Sequence, residues 1–171
     1  MVQPTLEAWD RFREDVLSFQ KRHFGLEEDA LIDAFKNPDA TIVVLQDTKT
    51  NRVVGFTYAE PVEQIYRENF YAERERLASA AYIHNAAYIH NTALEPNNMG
   101  HGMVDYLTGR LEAELVTKGY KYIERDAITT NGYAAKIQKA YGERIGLAVP
   151  HLSRWGEQVF FRISLVESKG S

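Results

Sequence analysis

Cysteine is absent from the 171 residues, which excludes disulfides, thiolate metal sites and a cysteine nucleophile. Long apolar runs are absent too. None approaches the ~20 residues a helix needs to cross a bilayer, and the N-terminus lacks the pattern of a secretory signal. These absences are read as a soluble, cytoplasmic protein. Excess positive charge is also missing: 20 Lys and Arg stand against 24 Asp and Glu, a formal net charge of −4. Nucleic-acid binders carry a basic field, so neither nucleic acid nor membrane is an expected partner. No metal site is expected.

What is present argues for a folded core. The chain is 44% hydrophobic and 26% charged, with 10 Tyr, 8 Phe and 2 Trp. Disordered chains have fewer apolar residues and more net charge. The length suits a single domain, expected over residues 1–166. Residues 167–171 read as an added tail.

The hydrophobic period changes along the chain. Leu6, Trp9, Phe12, Val16 and Phe19 recur at helical spacing, and Ala30, Leu31, Ala34 and Phe35 predict a second helix. Asn37-Pro38 stops it. Thr41–Leu45 and Val53–Tyr58 read as a hairpin of two strands, closed by Glu60-Pro61. Residues 62–78 read as a helix or an ordered insertion. Tyr88–Leu94 predicts a strand broken by Pro96, Gly100–Lys118 a helix ended by Gly119, and Tyr120–Ile128 a strand. Asn131 can cap a helix running to about Tyr141. Val159, Phe161, Ile163 and Leu165 alternate with Phe160, Arg162 and Ser164 as a half-buried last strand, with Trp155 packed under its hairpin or forming a wall of the acceptor pocket. This order fits an α/β or α+β sheet with helices on its faces.

The strongest chemical signal is Leu94-Glu95-Pro96-Asn97-Asn98-Met99-Gly100-His101-Gly102-Met103. A strand ends, a glycine-bearing loop follows, and a long helix begins. Amides at a helix start, with the helix dipole, favour an anion such as a pyrophosphate. Glycines let the ligand approach the backbone. By itself the pattern is also that of an ordinary tight turn. It is not a Walker loop, because no Gly-Lys-Ser/Thr follows, and a dinucleotide fold needs a third glycine.

The run from Tyr88 to Gly102, the helix after it, Lys118-Gly119-Tyr120-Lys121-Tyr122-Ile123, and Asn131 leading into an Ala-rich helix together resemble the GNAT N-acetyltransferase superfamily. The resemblance covers roughly residues 41–165. It implies a mixed, mostly antiparallel central sheet flanked by helices, acetyl-CoA as cosubstrate, and direct transfer to a primary amine of a small molecule or peptide. The family motif Gln/Arg-x-x-Gly-x-Gly/Ala binds the CoA pyrophosphate. Gly100 and Gly102 match its glycines, while Asn97 departs at its first position and Met99 stands where Arg or Gln is frequent. By this resemblance Met99, Gly100, His101, Gly102, Met103 and Val104 offer amides to the pyrophosphate. Thr92, Ala93 and Leu94 would pair with the pantetheine arm.

The resemblance also suggests roles in proton transfer. His90, ten residues before Gly100, is the candidate base, with a structural histidine as the alternative. Imidazole changes charge near neutral pH. Glu95 is a second candidate, or a surface carboxylate. Tyr141 is the candidate acid for the leaving thiolate, or a core residue, and it lies one helical turn beyond the family position, which Gln138 occupies. Asn131 contacts the pantetheine arm or only caps its helix.

One feature stands outside the pattern. Ala80-Ala81-Tyr82-Ile83-His84-Asn85 is repeated at once as Ala86-Ala87-Tyr88-Ile89-His90-Asn91. The shift of six is even, so either copy sends Tyr and His to the same faces of a strand. The second copy, joined to the loop, is expected to form the strand. The equivalence leaves a strand-swapped homodimer open. It also leaves open a rival reading, a catalytically impaired or engineered GNAT scaffold carrying a duplicated strand segment.

Overall fold

The computed structural model describes residues 6–23, 28–65, 84–153 and 155–165. Most of the region expected as an insertion, the first four residues of the first repeat copy, and the tail 167–171 lie outside the described residues. Helix α1 spans Leu6–His23 and α2 spans Glu28–Lys36. Strands β1, Thr41–Gln46, and β2, Val53–Pro61, follow, then a short helix α3, Val62–Ile65. Strand β3 is Ala86–Leu94 and helix α4 is Met103–Thr117. Strand β4, Tyr122–Ile128, leads to α5, Tyr133–Tyr141, and then to β5, Ile145–Ser153, and β6, Gly156–Ser164. The strand order is β1-β2-β3-β4-β6-β5.

Contacts divide the chain into two units, one of residues 1–60 with 89–115, the other of 61–88 with 116–171. In the first, β1 and β2 form an antiparallel hairpin, Thr41 facing Ala59. Phe12 and Val16 of α1, one helical turn apart, are buried with Leu31, Ala34 and Phe35 of α2 against Ile42, Phe56, Tyr58 and Ala93 of the strands. This is the helical period meeting the strand period on one face. Helix α2 ends where expected: the Asn37 amide donates to the Asp33 carbonyl at 2.9 Å, and Pro38 prevents continuation.

In the second unit β4 and β6 pair antiparallel from Tyr122–Ser164 to Ile128–Gln158, and β5 pairs antiparallel with β6. Helix α5 packs on β4 and β6 with Ala134 and Ile137 buried. Strand β5 is not expected from the sequence. Its alternation of Ile145, Leu147 and Val149 is interrupted by Gly146 and Pro150. Proline is tolerated here because β5 ends the strand order and is an edge strand. Trp155 corrects an expectation, since it stands 54% exposed in the β5–β6 turn rather than under the hairpin. Phe160, placed by alternation on the wetter face, is as buried as Phe161, because Val62, Ile65 and Tyr88 cover that face. No described helix is long and apolar enough to cross a membrane.

Candidate functional site

Strand β3 consists of the second repeat copy followed by Thr92-Ala93-Leu94, while His84 and Asn85 of the first copy form a turn before it. It pairs parallel with β4 over Ala86–Tyr88. Thr92, Ala93 and Leu94, the residues expected to meet an extended ligand arm, are its last three positions.

Alternation along β3 breaks near Asn91. Thr57 and Tyr58 are neighbours on β2 and point to opposite faces. Thr57 Oγ1 lies 2.9 Å from Thr92 Oγ1, whereas the Tyr58 ring stacks on His90 at 4.9 Å. Strict alternation would put His90 and Thr92 on one face; they stand on two. Ala93 packs with the α1–α2 cluster, on the His90 side. Leu94 lies on the other, with its Cδ1 2.8 Å from where a Cβ on Gly55 would be. Such an irregularity re-aims side chains and ends regular pairing.

After Leu94, the Glu95 amide donates to the Val54 carbonyl at 2.7 Å, fixing the strand end. Pro96–Asn98 make one 3₁₀ turn. The loop then uses two left-handed residues, Gly100 at φ 84° and Gly102 at φ 72°, a conformation glycine adopts without strain. No atom lies within 4 Å of the Cβ position at either glycine, so both face open space. The first bond of α4 runs from the Tyr106 amide to the Gly102 carbonyl, 2.9 Å. The amides of Met103, Val104 and Asp105 therefore have no intrahelical acceptor. Met99, Gly100, His101 and Gly102 are exposed, and Met103 and Val104 half-buried. The cradle has no Lys or Arg from Met99 to Asp105, and Asp105 puts a carboxylate in the first turn. The donors it offers to an anion are backbone amides alone.

His90 lies on the face carrying Tyr58 and Glu60. Its Nε2 is 2.8 Å from Glu60 Oε2, and Asn37 Nδ2 donates to Glu60 Oε1 at 3.1 Å. Burial alone would raise the Glu60 pKa, but the hydrogen bond and charge of His90, with the Asn37 bond, outweigh it and hold the carboxyl below its ordinary value. In the sequence Asn37, Tyr58 and Glu60 mark only a helix stop, a strand and the close of a hairpin, with no site role. The available signal was an acid two residues after Tyr58 in an apolar strand.

The remaining candidates fall elsewhere. Glu95 is half-buried at the strand end. Asn131 and Tyr141 belong to the second unit. Asn131 Oδ1 accepts from the Tyr133 amide at 3.0 Å, but the N-cap of α5 is Gly132 at φ 76°, with no side-chain cap bond, so Asn131 stands one residue before the cap position expected for it. Tyr141 ends α5 with the Arg144 guanidinium 5.3 Å over its ring.

No protein-family model matches the sequence, and no curated protein matches it. Solved structures do match the fold. An aminoglycoside 6'-N-acetyltransferase complexed with coenzyme A superposes with a TM-score of 0.64 at 13% identity, over 99% of this chain and 97% of that one. The ribosomal-protein-S18-alanine N-acetyltransferase from Escherichia coli gives 0.63 at 12%, over 92% of each chain. A Desulfovibrio desulfuricans protein assigned to the GNAT family gives 0.63 at 10%, over 96% of each. The chain has the GNAT fold, a mixed α/β architecture with a mostly antiparallel six-stranded sheet.

Proposed function

We propose that the chain is an acyl-CoA-dependent N-acyltransferase that moves an acetyl group from acetyl-CoA to a primary amine. The observation that carries this is the loop of Gly100 and Gly102 at the start of α4, with three amides lacking helical acceptors, in a fold shared with acetyltransferases. Helix amides and dipole favour the pyrophosphate, and the backbone of Thr92–Leu94, at the end of β3, is the candidate partner of the pantetheine arm. The bound thioester supplies the activated acetyl group.

The chain's own residues then handle protons. As the amine nitrogen bonds to the acetyl carbon, its proton passes to His90. Glu60, 2.8 Å away, steadies the imidazolium that forms. The carbon–sulfur bond breaks and the thiolate takes a proton, for which Tyr141 is the candidate donor. Asn131 remains the candidate for the arm, and Glu95 is the reserve base.

Calorimetric titration with acetyl-CoA, followed by turnover with a panel of amines, tests the reading. Saturating ligand at about a hundred times its Kd should stabilise the fold by ~2.7 kcal/mol. His90→Ala should lower turnover far more than CoA affinity. Absence of CoA binding defeats the proposal and favours a non-catalytic scaffold. Equal turnover in wild type and His90→Ala removes that residue from the mechanism.

A further inference from the structure

The second unit holds another histidine–carboxylate pair. Asp126 on β4 is 12% exposed in its side chain, and His151 Nε2 lies 2.8 Å from its Oδ1. The Tyr88 hydroxyl donates to its Oδ2 at 2.5 Å. Three strands, β3, β4 and β5, thus converge on one carboxylate. With Nε2–H directed at Asp126, the neutral imidazole carries its lone pair on Nδ1. No bond to Nδ1 is formed among the described residues, and a third of the His151 side chain, 33%, is exposed.

The surroundings favour an organised site over a loose surface contact. Leu147 and Val149 of β5 pack with Tyr88, Tyr122 and Phe160 in the second unit's apolar cluster. His151 continues the same row of β5, so it stands at the polar end of an apolar face. Glu124, which shares that face of β4, is buried with Arg162 3.7 Å away. The imidazole is gripped at one nitrogen, with an acceptor lone pair left at the other.

We propose that His151 is a binding residue for the amine-bearing acceptor, its Nδ1 accepting a hydrogen bond from an ammonium N–H. Asp126 and Tyr88 act as positioning residues that fix its tautomer and orientation. The identity of this ligand rests on the acetyltransferase reading; the geometry does not.

The test uses the full chain with 1,4-diaminobutane as probe and ¹⁵N NMR of the histidine rings, the His151 signals assigned from His151→Gln. Diaminobutane should shift the Nδ1 resonance saturably. Tetramethylammonium, a cation without an N–H, should not. Asp126→Asn and Tyr88→Phe should weaken the response at least several-fold, while acetyl-CoA affinity stays unchanged in His151→Gln. In turnover, His151→Gln should raise the KM for diaminobutane with a smaller change in kcat. An Nδ1 resonance indifferent to diaminobutane in the wild type overturns the proposal, whatever the variants do. An equal response to tetramethylammonium also overturns it. A wild type that binds diaminobutane at His151 but transfers no acetyl group keeps this site and sinks the acetyltransferase reading. Acetyl transfer without a His151 response does the reverse.

Discussion

Gly55→Ala tests how the core positions the loop. An added Cβ would lie 2.8 Å from Leu94 Cδ1, 3.0 Å from the Ala93 carbonyl oxygen and 3.1 Å from Leu107 Cδ1. Leu94 and Leu107 are fully buried, and the Ala93 oxygen is backbone. None of the three can yield without moving a neighbour. Overpacking of this kind costs about 1–3 kcal/mol. Gly55 has no positive φ, so alanine is conformationally allowed and recovers about 0.4–1 kcal/mol by restricting the unfolded chain. The net loss should be about 1–2 kcal/mol, or roughly 2–8 °C in Tm for a chain of this size. Leu94 ends β3 and Leu107 lies in the second turn of α4, one on each side of the glycine loop. Affinity for acetyl-CoA should therefore fall with stability. Gly109→Ala is the control: its Cβ meets nothing within 4 Å on the exposed side of α4, so it should stabilise by up to about 1 kcal/mol. Calorimetric unfolding of both variants reads the effect. A Gly55→Ala protein with Tm at or above wild type would refute the packing argument.

Three further outcomes are expected. Glu60 has a depressed pKa, so its contribution to stability is full above the ordinary value of 4.5 and is lost as pH falls through the folded value. Glu60→Gln should flatten that acid limb in unfolding curves taken from pH 6 to 3, and an unaltered limb would contradict the His90–Glu60 linkage. Asp105→Asn removes a carboxylate from the first turn of α4 and should tighten CoA binding by roughly two- to five-fold at low salt. The gain should shrink as ionic strength rises, and titrations showing no gain at low salt would place the phosphates elsewhere. Gly102→Val forces a β-branched residue to φ near 72° and fills the open space beside the amides. Helical content should persist while CoA affinity drops at least ten-fold, and undiminished affinity would exclude the loop.

Much of this frame is legible in the sequence because it rests on local patterns. The β1–β2 hairpin shows in its β-branched runs, α4 in the spacing of Leu107, Leu111 and Leu115, and the loop in two glycines after a proline. What escapes is non-local. Glu60 lies thirty residues before His90, and only the β2–β3 neighbourhood joins them. Strand β5 hides behind Gly146 and Pro150, and with it goes His151. The break in alternation at Asn91 leaves no distinctive mark, since the same residue ends the first copy at position 85.

The pairing of Thr57 with Thr92 has a consequence for that repeat. Slide the strand by six residues and nearly every partner is preserved: Tyr82 would replace Tyr88 opposite Asp126, and His84 would replace His90 beside Glu60. Two errors would surface only downstream. Ala86 would stand where Thr92 is, leaving the Thr57 hydroxyl, at 0% exposure, without its partner at about 1–3 kcal/mol. Tyr88 would be driven into the closed space that Leu94 fills beside Gly55. A duplicated message is thus read in a single frame partly because the letters after it change: Thr92 and Leu94 stand where a third copy would put Ala and Tyr. A chain with Ala-Ala-Tyr there would have only the junction of the strand end with the glycine loop to tell one frame from the other.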